Sequence, residues 1–177
     1  MTYGDEAGGG RPCPALVPYV LPQRPHAAVL VLHGGRAEGL EPPPALNLPG
    51  ARMRPFVRAI GRATAGHGVV LAGVRYRHRG WNGEREDAAR DALRALEALR
   101  QRAGEVPVML VGHSMGGRAA GAQACHLVVP GGDHAMLRGA GTWHALTARL
   151  VAGLLRLGPL PPEVAGAMTA PVSEGAR

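Results

Sequence analysis

Gly112-His113-Ser114-Met115-Gly116 sets one serine between two glycines, each two residues away. A serine in that spacing suits nucleophilic attack. The glycines let the backbone take a strained strand-to-helix turn, which lifts the hydroxyl clear of the sheet. The amide of Met115 then opens a helix and points to where an oxyanion would form. Serine is a weak nucleophile until a base takes its proton, and imidazole suits that task near neutral pH. Of eight histidines, His134 is placed best, in a Gly-rich loop after a short apolar run. His113 lies inside the turn, a position that packs more often than it catalyses. His33 is read as ordering the Gly34-Gly35 loop, from which Gly35 or Arg36 would supply a second oxyanion amide. His26, His67, His78, His126 and His144 lack motif context and read as surface or packing residues.

The elements needed to position these groups follow from hydropathy. Residues 26–32 and 69–75 are nearly continuous apolar runs, the pattern of strands covered on both faces. Residues 106–111 form the strand entering the serine turn, and residues 127–129 a short strand before the His134 loop. Residues 15–21 carry Pro18, which suits an edge strand only. Helices are predicted over about residues 53–65, 84–103, 115–124 and 143–157, with 38–50 a stiff Pro-rich loop. In the second helix Ala89, Leu93, Leu96 and Leu99 recur at helical spacing, and Asn82 is placed to cap it. In the last, Trp143, Leu146, Leu150, Leu154 and Leu157 share a face. Alternating strands and helices imply an α/β fold, a mostly parallel sheet covered by helices on both faces. Chemistry in such sheets sits at the carboxyl ends of the strands. His33 to Gly35, Gly112 to Gly117 and Gly131 to His134 all fall there.

Composition bounds the remaining readings. At 177 residues the chain reads as one domain over 1–177, with 1–14 and 158–177 as loose tails. All 20 basic residues are arginine, and Ala, Gly and Pro are abundant, as in GC-rich coding sequence. The net charge of +7 therefore says little about nucleic acid, since the arginines are scattered and aromatics make up only 3%. Cys13 and Cys125 have no metal-type spacing and read as reduced thiols. With no secretory leader or bilayer-length apolar run, the expectation is a cytoplasmic protein that engages neither membrane nor nucleic acid. Gly34-Gly35 and Gly131-Gly132 lack the spacing of a dinucleotide loop, and a P-loop needs a lysine that the chain does not have. No cofactor or metal is expected.

His33-Gly34-Gly35, the Gly112-to-Gly117 turn and Gly132-Asp133-His134 together resemble the α/β-hydrolase family, over about residues 26–157. The resemblance implies Ser114 as nucleophile and His134 as general acid/base, with Met115 and Gly35 lending oxyanion amides. It implies cleavage of an ester or related acyl bond in a small-molecule substrate through an acyl-serine. A catalytically inactive relic or binding protein of the same fold is the alternative.

The departures are specific. The family usually places further strands and the triad acid between nucleophile and histidine. Here only 20 positions separate Ser114 from His134, with no acidic residue before Asp133. The chain reads as a shortened α/β-hydrolase-like sandwich, joined near Cys125-His126. Ten helical residues lead away about 15 Å, and four or five strand residues return about the same distance. Glu38, Glu41, Glu84 and the adjacent Asp133 are the candidate acids, and loss of that partner costs about 10⁴ in rate. Trp81 is read as packing before pocket lining. Missing strands would leave a sheet edge open to homodimerisation.

Overall fold

The computed structural model describes residues 15–121, 133, 136–162 and 164. At the centre of the sheet two parallel strands pair, β2 (Ala27–Leu32) and β3 (Val69–Val74), every residue of both buried. Branched and small apolar side chains suit strands covered on both faces. β1 (Leu16–Val20) runs antiparallel to β3 along the outer side, where the missing amide of Pro18 costs no central ladder bond. β4 (Val108–Gly112) runs parallel to β2, with Leu32 opposite Gly112. The sheet is thus mixed, in the order β1-β3-β2-β4. The carboxyl ends of β2, β3 and β4 share one edge.

Successive side chains of β2 enter two different apolar clusters, as a period of two requires. Ala28, Leu30 and Leu32 join Val70, Ala72, Val74 and, from α2 (Asp87–Ala103), Ala88, Ala92, Ala95 and Leu99. Ala27, Val29 and Val31 join Val69 and Leu71. Met53, Phe56 and Ile60 of α1 (Leu48–Ala63) and Val151 of α4 (Ala140–Leu154) complete that second cluster. The Phe56 ring also meets the His144 ring edge-on at 4.5 Å, so α1 and α4 lock together.

Several helix expectations need correction. α1 starts at Leu48, inside the predicted loop, because Pro49 in the first turn surrenders an amide that has no helical partner there. The buried stripe of α2 is Ala88, Ala92, Ala95, Leu99 and Ala103, while Leu93 is 65% exposed. Two carboxylates rotate the helix that way. Asp91, buried, accepts from Arg77 N–H at 2.8 Å, Arg77 Nε at 2.6 Å and Arg94 at 3.3 Å. Asp87, also buried, accepts from Asn82 Nδ2 at 2.7 Å and Arg85 Nε at 3.0 Å. Anchored carboxylates on the inner face leave a leucine outside. Asn82 makes no cap bond, and a short 3₁₀ turn, Gly83–Arg85, precedes α2.

α4 is likewise turned: Val151 is its fully buried position and Leu154 is 45% exposed. The segment beyond it does not start as a loose tail. Pro161 and Val164 are buried, and Leu160 lies against Gly153, where a Cβ would meet its Cδ2 at 2.8 Å. The predicted strand 127–129 falls outside the described residues. Among the described residues, no helix is long and apolar enough to cross a membrane.

Hydrogen bonding from Arg85, assisted by Asn82, holds the Asp87 carboxyl at about 2, below the ordinary 3.8, although burial opposes this. A depressed folded-state pKa means the stabilisation is present above about pH 4 and is lost as pH falls from 3.8 toward about 2. Denaturant midpoints measured across that window should fall with pH in the wild type. In Asp87→Asn the slope should be shallower and the neutral-pH stability lower.

Candidate active site

β4 delivers the chain to Ser114, and α3 (Met115–Ala119) leaves it. The helix is shorter than the predicted 115–124; Gly121 is left-handed at φ 65°, and residues 122–132 are not described. Ser114 itself has φ 54° and ψ −120°, which an L-residue adopts only under constraint, at a cost of about 1–3 kcal/mol. Three backbone bonds impose it. His113 N–H donates to Leu32 O at 3.0 Å, Gly116 N–H to His113 O at 3.0 Å, and Arg118 N–H to Ser114 O at 3.1 Å. Ser114 is exposed and His113 is buried beneath it.

Sterics dictate the flanking glycines. A Cβ on Gly112 would lie 2.5 Å from Gly116 O, and one on Gly116 would lie 2.2 Å from Leu32 O and 2.8 Å from His33 O. Gly117 meets nothing nearer than 3.6 Å. The spacing that singles out the serine in the sequence is thus the spacing of two forced contacts.

The Gly34-Gly35 loop packs directly on this turn. A Cβ on Gly34 would sit 3.4 Å from Ser114 Cβ, and one on Gly35 would sit 2.4 Å from Met115 Cε. Between the two residues weighed for the second oxyanion amide, the structure removes Arg36. Its N–H donates to Arg79 O at 3.0 Å, while its carbonyl accepts from Trp81 N–H at 2.9 Å. Gly80 N–H to Gly39 O and Arg79 N–H to Glu41 O, both 3.0 Å, extend this strapping. Asn82 completes it by accepting from Gly39 N–H at 2.8 Å. The amides of Gly35 and Met115 make no such backbone pairing among the described residues.

His33 orders the loop, as its place in the sequence suggests. Its Nδ1 meets Gly34 O at 2.6 Å, its Nε2 meets Asn47 Nδ2 at 3.2 Å, and its ring stands edge-on to Tyr76 at 4.6 Å. Burial pushes the imidazole below 6.5, against a weaker opposing pull from the Gly34 carbonyl. Beside it lies a cavity of about 170 Å³, lined by Gly34, Gly35 and Arg36 from the loop and by Pro44, Leu46 and Leu48 opposite.

Other candidates resolve differently. His134 lies outside the described residues, so the general acid/base is not placed against Ser114. Asp133 accepts from Leu137 N–H at 2.9 Å and Arg138 N–H at 3.4 Å, bonds that hold its carboxyl below the usual range. Glu41 pairs with Arg79 at 3.2 Å, and Glu38 and Glu84 are exposed. Trp81 is buried under the Arg118 guanidinium, 4.0 Å from the ring centre, and packs without lining the cavity. Sequence reasoning missed Asn47. The signal was present in Asn47-Leu48-Pro49, a helix-start pattern buried in a run of prolines.

No family model and no curated protein matches this chain. Among the described residues no group of three His, Cys, Asp or Glu could hold a metal ion.

Gly116→Ala should destabilise the protein by about 3 kcal/mol, since the clash is with backbone on both sides. Gly117→Ala, in ordinary contact distance on the same helix, should be neutral or stabilising by up to about 1 kcal/mol. Urea denaturation of the pair separates a forced glycine from an incidental one.

Proposed function

We propose that this chain is a serine hydrolase of the α/β-hydrolase kind, acting on an ester or related acyl bond of a small molecule. The observation that carries the reading is the backbone of Ser114. A non-glycine residue held at φ 54° between two sterically required glycines, and exposed, is the geometry that lifts a nucleophilic hydroxyl out of a strand-to-helix turn. The Gly34-Gly35 loop against the same turn adds support, as does the sheet order, which sets the nucleophile strand β4 beside β2. In this reading the two apolar clusters are the two covered faces of one sandwich, and the outer side of β4, with Leu110 38% exposed, is the edge through which a homodimer would form.

The chemistry proceeds in two balanced halves. Ser114 Oγ attacks the acyl carbonyl while His134 takes its proton, and the amides of Met115 and Gly35 hold the oxyanion. Collapse breaks the bond to the leaving group, which departs with the proton from His134, and leaves an acyl-serine. Water, deprotonated by the same imidazole, then releases the carboxylic acid. Because Glu41 and Asp133 are engaged elsewhere, the imidazole lacks a ready acidic partner in them, and turnover is slow. Those same engagements favour the second reading, a non-catalytic binding protein on this fold.

A fluorophosphonate probe separates the two. Labelling of the wild-type protein that disappears in Ser114→Ala and falls about 100-fold or more in His134→Ala supports the hydrolase. No labelling of the wild type supports the binding protein, and labelling that survives in Ser114→Ala excludes Ser114 as nucleophile.

A further inference from the structure

We infer that Asn47 is a positioning residue of the oxyanion hole: it selects the His33 tautomer that pins the Gly34 carbonyl and thereby aims the Gly35 amide. This rests on the hydrolase reading for its effect on rate, though not for the geometry it invokes.

The Gly34-Gly35 peptide is the starting point. The carbonyl of Gly34 and the N–H of Gly35 belong to one planar unit and point in opposite directions, so fixing the oxygen fixes the amide. His33 fixes the oxygen, with Nδ1 at 2.6 Å. A carbonyl only accepts, so Nδ1 must carry the proton, and in the neutral ring Nε2 must then be an acceptor. Asn47 supplies what that acceptor needs, an N–H from Nδ2 at 3.2 Å. The opposite tautomer would set two acceptors against each other at Gly34, and, with the Asn47 amide oriented as it is here, two donors against each other at Nε2.

Two independent features mark Asn47 as given over to this task. It occupies the N-cap position of α1, where an asparagine side chain normally accepts from the first-turn amides, yet it makes no side-chain cap bond. Only its backbone carbonyl serves the helix, accepting from Ala51 N–H at 2.8 Å. Gly50 also keeps the space open, since a Cβ there would lie 2.9 Å from Asn47 Nδ2 and 3.7 Å from His33 Cδ2. The asparagine is therefore diverted from stabilising its own helix to holding a histidine on the neighbouring loop.

The experiment reads the His33 ring nitrogens of the full chain by ¹⁵N NMR, together with kcat and KM on p-nitrophenyl acetate. The wild type should show a neutral His33 protonated at Nδ1. Asn47→Ala should give mixed tautomers and lower kcat about tenfold with KM changed less than about twofold, since the aimed amide acts on the transition state. Its melting temperature should hold, because no cap bond is lost. Asn47→Leu, of similar size but offering no hydrogen bond, should likewise leave Nε2 without a donor, mix the tautomers and lower kcat at least as far. Protonation at Nε2 in the wild type overturns the inference, as does Asn47→Ala with the Nδ1 proton and kcat both unchanged. If the wild type turns over no ester, the hydrolase reading fails, and an unchanged tautomer in both variants still overturns the role of Asn47.

Discussion

The backbone of Gly116 rests on the carbonyls at the end of β2, closer than any side chain would allow. That contact joins the two parts a hydrolytic site would need. On one side is the turn holding Ser114; on the other is the strand end that continues into His33 and the Gly34-Gly35 loop. With Gly116 seated, His113 N–H reaches Leu32 O and the turn is clamped from both ends. The strain at Ser114, about 1–3 kcal/mol, is small beside the burial of β2 and β3 that anchors this edge. The turn is thus over-determined by the sheet.

A second layer of control comes from polar groups that spend their bonding locally. Asp87 and Asp91 draw α2 toward the segment after β3, Asn82 ties that segment to Gly39, and Arg79 ties it to Arg36. The loop over the site is consequently held by a ladder of short backbone bonds in addition to its prolines. His33 and Asn47 extend the same logic to a single peptide plane. Each polar side chain here fixes a backbone group, and each fixed backbone group narrows where the next can lie.

How much of this was legible in the sequence depends on what encodes it. β2 and β3 were readable because a buried central strand needs an unbroken apolar run. β1 was readable as an edge because Pro18 forbids anything else. The serine turn was readable because its glycines answer to steric contacts at fixed spacing. The face of α2 was not, since the apolar periodicity of Leu93 and Leu96 competes with carboxylates whose partners lie on another segment. Nor was the start of α1, where Pro49 reads as a loop residue until it is seen in a first turn. Tertiary partners decided both. His134 and residues 127–129, on which the shortened crossover depends, fall outside the described residues, so that part of the site stands as the sequence left it.

The central claim is that the constrained turn presents Ser114 Oγ to an acyl centre whose oxygen is taken by two particular amides. A crystal structure of the protein after reaction with a small phosphonate ester tests it most directly. The account predicts phosphorus bonded to Ser114 Oγ, with the phosphonyl oxygen about 3 Å from the nitrogens of both Gly35 and Met115. An adduct whose oxygen turns away from those amides, or a serine that takes up no phosphonate, would contradict it.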